Sequence, residues 1–76
     1  MAVASFHRDG VQVSMRGFHP PKKATITAWY KAATALIEDA PDWRTVDMGA
    51  AEVHPETITF HGDGWDLFIS RRRNLR

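Results

Sequence analysis

The chain has 76 residues and a net charge of +1, and 43% of its residues are hydrophobic. This length fits a single domain, 1–76, and the hydrophobic content excludes a disordered chain, because enough apolar surface is present to form a core. The absence of cysteine excludes disulfides, zinc-thiolate sites and thiol nucleophiles.

The N-terminal segment lacks the basic start and the apolar run of a signal peptide. No apolar stretch approaches the roughly 20 residues of a membrane span. We therefore expect a cytoplasmic protein with no membrane partner. A chain this small is near the lower limit for unaided folding, so a monomer and a homodimer are both consistent with its size.

Charge is distributed unevenly along the chain. Eight of the nine acidic residues lie between Glu38 and Asp66, where Arg44 is the single base. Four arginines follow in a basic C-terminal tail, 71–76. The residues before Glu38 include five bases and one acid, Asp9, so an acidic middle lies between two basic ends, which predicts a dipolar surface that steers partners.

Residues 3–16 are predicted to form a β-hairpin around Asp9-Gly10, because this pair readily supplies the two positive φ angles of a type I′ turn. Counting outward from a two-residue loop gives a register in which successive side chains alternate between two faces. The predicted apolar face consists of Ala4, Phe6, Val11, Val13 and Met15. The predicted polar face consists of Ser5, His7, Gln12 and Ser14.

The central helix is predicted over residues 25–40, where apolar side chains recur at the i, i+3, i+4 and i+7 spacing of one helical face. Pro41 ends this helix because proline cannot continue the backbone hydrogen-bond ladder. Thr25 or Thr27 could cap its start. The apolar stripe consists of Ile26, Trp29, Tyr30, Ala33, Leu36, Ile37 and Ala40.

Residues 44–54 have two interpretations. We favour a short extra strand at 44–48, followed by a loop that contains Gly49. In the alternative, Asp47 caps a single helical turn that runs through Val53.

Residues 57–71 are predicted to form a second hairpin, with Asp63-Gly64 as its turn. The predicted apolar face consists of Ile58, Phe60, Trp65, Leu67 and Ile69. The other face consists of Thr57, Thr59, His61, Asp66 and Ser70, with Phe68 among them as an apolar exception.

These elements predict an α+β fold with the order ββαββ. An antiparallel sheet of about four strands, formed by the two Asp-Gly hairpins, would pack on the central helix. In the alternative arrangement, each hairpin forms its own layer and the helix lies between them.

Two His-x-Asp patterns, at His7 and at His61, place nitrogen and oxygen ligands in matching hairpins. The turns favour Asp, and His is an ordinary residue on a solvated strand face, so we expect no metal site. The sequence also lacks a nucleophile elbow, a phosphate-binding glycine loop and a carboxylate pair on one helical face. We therefore expect no catalytic residue, no cofactor and no enzymatic activity.

Exposed aromatic residues beside arginine are typical of interaction hot spots. The leading interpretation is therefore a non-enzymatic module that binds another protein through the polar face of the sheet, the second hairpin and the tail. In the alternative, a small nucleic-acid-binding domain uses the arginine cluster to contact phosphates. The predicted partner-binding residues are His61, Trp65, Asp66, Phe68, Arg71, Arg72, Arg73 and Arg76.

Small α+β chains without cysteine or a catalytic constellation are common among the inhibitors that phages and mobile elements encode, including anti-CRISPR proteins. This chain is similar to them in build and size alone. The similarity implies an inhibitor of a host protein complex as one form of the protein-binding module. A DNA mimic is disfavoured because the net charge is slightly positive.

Overall fold

The computed structural model describes residues 1–71, in which one helix covers one face of a five-stranded antiparallel sheet. The predicted α+β class is confirmed, with five strands in place of about four. In chain order the elements are β1 Ala2–Arg8, β2 Val11–Phe18, α1 Ile26–Thr34, β3 Glu52–Val53, β4 Thr57–Gly62 and β5 Trp65–Ser70. The strand order β2-β1-β5-β4-β3 joins the two hairpins edge to edge in one sheet rather than in two layers.

Both hairpin turns form at the predicted Asp-Gly pairs. Asp9 and Gly10 have φ angles of 54° and 79°, as a type I′ turn requires. In the second turn the glycine, Gly64, has a φ of 78°. The Asp9 amide donates a hydrogen bond to the Gly64 carbonyl at 2.9 Å, so the two turns lie against each other.

The first hairpin contains a β-bulge that the sequence did not predict. Between Phe6 and His7 the register shifts, so that Phe6 lies opposite Ser14 and Ser5 lies opposite Met15. One extra residue in β2 moves the following side chains to the other face of the sheet. The predicted positions of Val13 and Met15 on the apolar face were therefore wrong, and both side chains are exposed. Val11 keeps its predicted partner, Arg8, but is exposed as well.

The second hairpin has the predicted register throughout. Its Cα partners are Gly62 with Trp65, His61 with Asp66, Phe60 with Leu67, Thr59 with Phe68 and Ile58 with Ile69. The apolar members of these pairs are buried under the helix, with the exception of Phe68.

Helix α1 begins as predicted but ends earlier, at Thr34. Thr25 is the N-cap, and its side-chain oxygen accepts a hydrogen bond from the Ala28 amide at 3.1 Å. At the other end, the Thr34 hydroxyl donates to the Tyr30 carbonyl at 2.7 Å, and the chain continues in turns. Leu36, predicted to lie on the buried stripe, is consequently 65% exposed.

The predicted strand at 44–48 was wrong, because this part of the chain forms two 3₁₀ helices, Trp43–Thr45 and Met48–Ala50. Asp42 and Asp47 cap them, each accepting a hydrogen bond from the backbone amide two residues further on, at 2.9 and 3.1 Å. The alternative, a turn capped by Asp47, is closer to the structure. The fifth strand, β3, follows these turns.

The core lies between α1 and the covered face of the sheet, and Tyr30 is at its centre. The Tyr30 ring packs edge-on against Phe60, with ring centroids 5.1 Å apart. Its hydroxyl donates to the Pro41 carbonyl at 2.6 Å, and burial together with the nearby Asp42 raises the pKa of Tyr30 to about 12. The other core side chains are Ala2, Ala4, Phe6, Trp29, Ala33, Ile37, Ile58, Trp65, Leu67 and Ile69.

Replacing Leu67→Ala should lower the free energy of unfolding by about 2–5 kcal/mol, because the side chain is fully buried. The matched control Leu36→Ala should change it by no more than about 0.5 kcal/mol, because this leucine is exposed. Urea unfolding measures both values. Ile58→Val, with an expected cost of about 0.5–1.5 kcal/mol, replaces Leu67→Ala if that variant does not fold. Equal effects of the two leucine variants would contradict this core.

The Trp65 indole lies over the backbone of Gly62, where a Cβ atom would overlap the ring. Gly62→Ala should therefore displace the ring and lower the free energy of unfolding by about 1–3 kcal/mol. Gly49→Ala is the matched control, since its Cβ would make an ordinary contact with Asp47 at 3.4 Å. Urea unfolding followed by tryptophan fluorescence measures the difference, and similar midpoints for the two variants would contradict the ring position.

Candidate functional site

The face of the sheet opposite α1, called the open face here, is not covered by any element of residues 1–71. A cross-strand row runs over its middle, from Met15 through Ser5, Phe68 and Thr59 to Glu52. A second row lies nearer the turns and consists of Gln12, His7, Asp66 and His61. The antiparallel pairing of β1 with β5 therefore brings side chains from both hairpins onto one surface.

An apolar patch occupies the middle of the open face. Met15 is 59% exposed and Phe68 is 43% exposed, and they lie on either side of Ser5. The patch continues to Met1, because a Cβ atom at Gly17 would lie 3.0 Å from the Met1 sulfur.

Ser5 forms the floor between the two larger side chains of the patch. It is buried, and its hydroxyl donates to Gln12 Oε1 at 3.1 Å. Ser5 separates Met15 from Phe68, whose strands are about 10 Å apart.

Three charged side chains, here called the His61 cluster, lie beside the apolar patch. They are Glu52, His61 and Asp66. His61 Nδ1 lies 2.8 Å from Asp66 Oδ1, and His61 Nε2 lies 2.8 Å from Glu52 Oε2. Because both ring nitrogens face carboxylate oxygens, the charged form of histidine, which has a proton on each nitrogen, can donate a hydrogen bond to both.

The hydrogen bond to Asp66, and then that to Glu52, raises the pKa of His61 above its ordinary value. Burial opposes this effect only weakly, since 47% of the His61 side chain is exposed. The cluster in this form carries two carboxylates and one imidazolium, and so has one net negative charge. It also fixes the short edge strand β3 to β4, because Glu52 belongs to β3.

Both ring nitrogens of His61 lie at hydrogen-bond distance from carboxylate oxygens, one from Asp66 and one from Glu52. His7 lies on the other side of Asp66, so the two histidines share a row without being neighbours. Among residues 1–71, no three His, Asp or Glu side chains are arranged to hold a metal ion.

The structure brings three of the predicted partner-binding residues, His61, Asp66 and Phe68, together on the open face. Trp65 is instead only 8% exposed, and its ring stacks on Phe6 with centroids 6.0 Å apart. It alternates with Asp66 along β5 and therefore points into the core.

Arg71 is also turned away from the open face. Its guanidinium lies 5.2 Å from the centre of the Trp29 ring and donates to the His54 carbonyl at 2.9 Å. This arginine therefore holds the end of β5 against the helix and the loop before β4. The other tail residues predicted to bind a partner, Arg72, Arg73 and Arg76, lie outside the described residues.

Two residues of the open face were missed by the sequence reasoning. Met15 was assigned to the covered face, and no feature of the sequence around Val13 signals the bulge that moves it. Glu52 lies in the segment whose structure had two interpretations. The acidic residues around His61 in sequence were visible, but their pairing with it depends on the register of β3 with β4.

Comparisons with protein-family models, with curated proteins and with solved structures found no match to this chain. Within residues 1–71, no helix could span a bilayer, which takes about 20 residues, whereas α1 has nine.

The hydrogen bonds of the His61 cluster predict a His61 pKa above 6.5, measurable from the ring proton shifts in an NMR titration. Asp66→Asn should lower this pKa more than Glu52→Gln does, because the bond to Asp66 is the larger cause. Asp63→Asn is the matched control, since its carboxylate is in the same hairpin but does not bond His61. A pKa that is the same in the Asp66→Asn variant as in the wild type would contradict the cluster.

The same shift predicts the pH dependence of stability. A pKa that is higher in the folded chain than in the unfolded chain gives a stabilisation that is complete below the unfolded value of about 6.5 and is lost as the pH rises through the folded value. The free energy of unfolding should therefore fall less between about pH 5.5 and about pH 8.5 in the double variant Glu52→Gln, Asp66→Asn than in the wild type. Urea unfolding at the two pH values measures this difference, and equal changes would contradict it.

Proposed function

We propose that this chain is a non-enzymatic module that binds another protein through the open face of its sheet. The observation that supports this most directly is the apolar patch of Met15 and Phe68, which no element of residues 1–71 covers. Apolar side chains that cluster on a surface and are surrounded by polar groups mark interaction sites. Met15 and Phe68 form such a cluster, with polar side chains around them.

The surroundings of the patch resemble the rim of a protein interface. Thr59 lies in the same row as Phe68 and offers a small hydroxyl group, while the His61 cluster adds charge at one side. Interfaces combine an apolar centre with a polar rim that makes hydrogen bonds to the partner. Phe68 is therefore the residue with the largest expected contribution to binding.

The charge of the open face favours a protein over a nucleic acid. Two carboxylates, from Glu52 and Asp66, lie on the same face as Phe68, and the cluster has one net negative charge when His61 is charged. Phosphate groups would be repelled there, whereas lysine or arginine side chains of a protein would be attracted. Arg71, which could have contacted phosphates, is bonded within the chain instead.

A module of this kind could act as an inhibitor by covering the surface with which its partner binds something else. This is the role implied by the size and build of the chain. The open face suits it, since binding through side chains of a flat sheet requires no catalytic group.

The experiment compares proteins captured by tagged wild-type chain and by tagged variants from a nuclease-treated lysate of the source cell. Phe68→Asp should reduce the captured partner by about tenfold or more, as expected for the centre of an interface. Val53→Asp is the matched control, because Val53 is an exposed aliphatic residue on the other face of the sheet. Circular dichroism of each variant verifies that it is folded.

Equal capture by the Phe68→Asp variant would contradict binding through the open face. Titration of single-stranded and duplex DNA at two salt concentrations provides a further test. Tight binding of DNA that weakens steeply with salt and is lost in Phe68→Asp would replace the protein partner with a nucleic acid.

A further inference from the structure

Strand β2 is an edge strand, and no other strand of residues 1–71 pairs with its outer side. It has eight residues, more than any other strand of the described chain. The backbone of an edge strand presents unpaired N–H and C=O groups, which proteins often protect with proline or lysine. Strand β2 contains neither residue, and beyond its bulge at Val13 residues 14–18 pair regularly with β1, so this part of the edge is open to a further strand.

A groove of about 320 Å³ lies between β2 and the helix, next to this open edge. Ala32, Ala33 and Ala35 form its helix side, and their small side chains leave the space free. Phe18 and the exposed Leu36 supply larger apolar surface. The groove is thus an apolar site that runs beside a strand edge.

The edge and the groove lie in the most basic part of the described chain. Arg16 lines the groove and makes no side-chain hydrogen bond or ion pair within residues 1–71. Residues 10–24 also include Lys22 and Lys23, and they contain no acidic residue. Arg16 is the charged residue among those that line the groove, so its guanidinium would attract an anionic group there.

We propose that the β2 edge and this groove bind an extended segment of a partner protein, which adds as a sixth strand beside β2. Its main chain bonds the open edge, one large apolar side chain enters the groove, and a carboxylate pairs with Arg16. This site is separate from the open face and does not depend on the function proposed for that face.

The carboxylate argues against a second copy of this chain as the occupant. Pairing of two β2 strands would bring together two segments that have no acidic residue, so neither could supply an anionic partner for Arg16. Such a dimer would also place like charges near each other.

The test selects binders from a library of random dodecapeptides displayed on phage, with the full chain as the target. We expect enriched peptides that combine alternating β-branched residues, one large apolar residue and an acidic residue. In NMR spectra of the chain, the best synthetic peptide should shift the amide signals of residues 11–18 and 32–36. Affinity is measured by fluorescence anisotropy of the same peptide.

Two pairs of variants separate the groove from the rest of the surface. Ala35→Trp fills the groove and Arg16→Gln removes its charge, and each should weaken binding by about tenfold or more. Ala50→Trp and Arg44→Gln make the same changes at exposed positions that do not line the groove, and they should leave the affinity within about twofold of the wild type.

Four results would overturn the proposal. They are a selection that enriches no peptide, amide shifts confined to the open face, an affinity that is unchanged in both groove variants, and enriched peptides without an acidic residue. Sedimentation of the chain without peptide tests whether a second copy of the chain binds at the β2 edge. A dimer that Ala35→Trp dissociates would assign the β2 edge to a second copy and likewise overturn the proposal.

Discussion

The pairing of β1 with β5 is the interaction on which the rest of the structure depends. It joins the first strand of the chain to the last strand of the described residues, so that Ala4 lies beside Ile69 and Phe6 lies beside Leu67. Each hairpin alone would be a two-stranded ribbon of marginal stability. Joined, they form one sheet with one covered face, to which both hairpins contribute core residues, and one open face.

The second hairpin could be predicted in full from its sequence, because strict alternation and a two-residue Asp-Gly turn determine a single register. The first hairpin could be predicted only as far as Gln12, because the bulge in the pairing of β1 with β2 has no local signal in the sequence. The end of α1 could not be predicted from the sequence either. Its apolar spacing continues beyond Thr34, but the hydroxyl of that residue bonds the preceding turn and the chain leaves the helix.

The candidate site was predicted where alternation alone decides which face a residue occupies. Asp66 and Phe68 alternate with core residues of β5, so their positions on the open face followed from the sequence. The positions of Met15 and Glu52 on the open face could not be predicted from the sequence. The position of Met15 depends on the bulge, and that of Glu52 depends on a strand of only two residues. Trp65 was on the predicted apolar face, and its burial under the helix keeps it off the open face.

The hydrogen bond between the two turns has a consequence for recognition. Asp9 and Gly64 hold the hairpin tips together, while β1 and β5 are already connected along their length. The hydrogen bond at the turns and the pairing of β1 with β5 therefore both resist movement of one hairpin relative to the other. A surface that is rigid before it binds loses little conformational entropy on association. The selectivity of the proposed interface therefore depends on how well the shape of a partner complements this preformed surface.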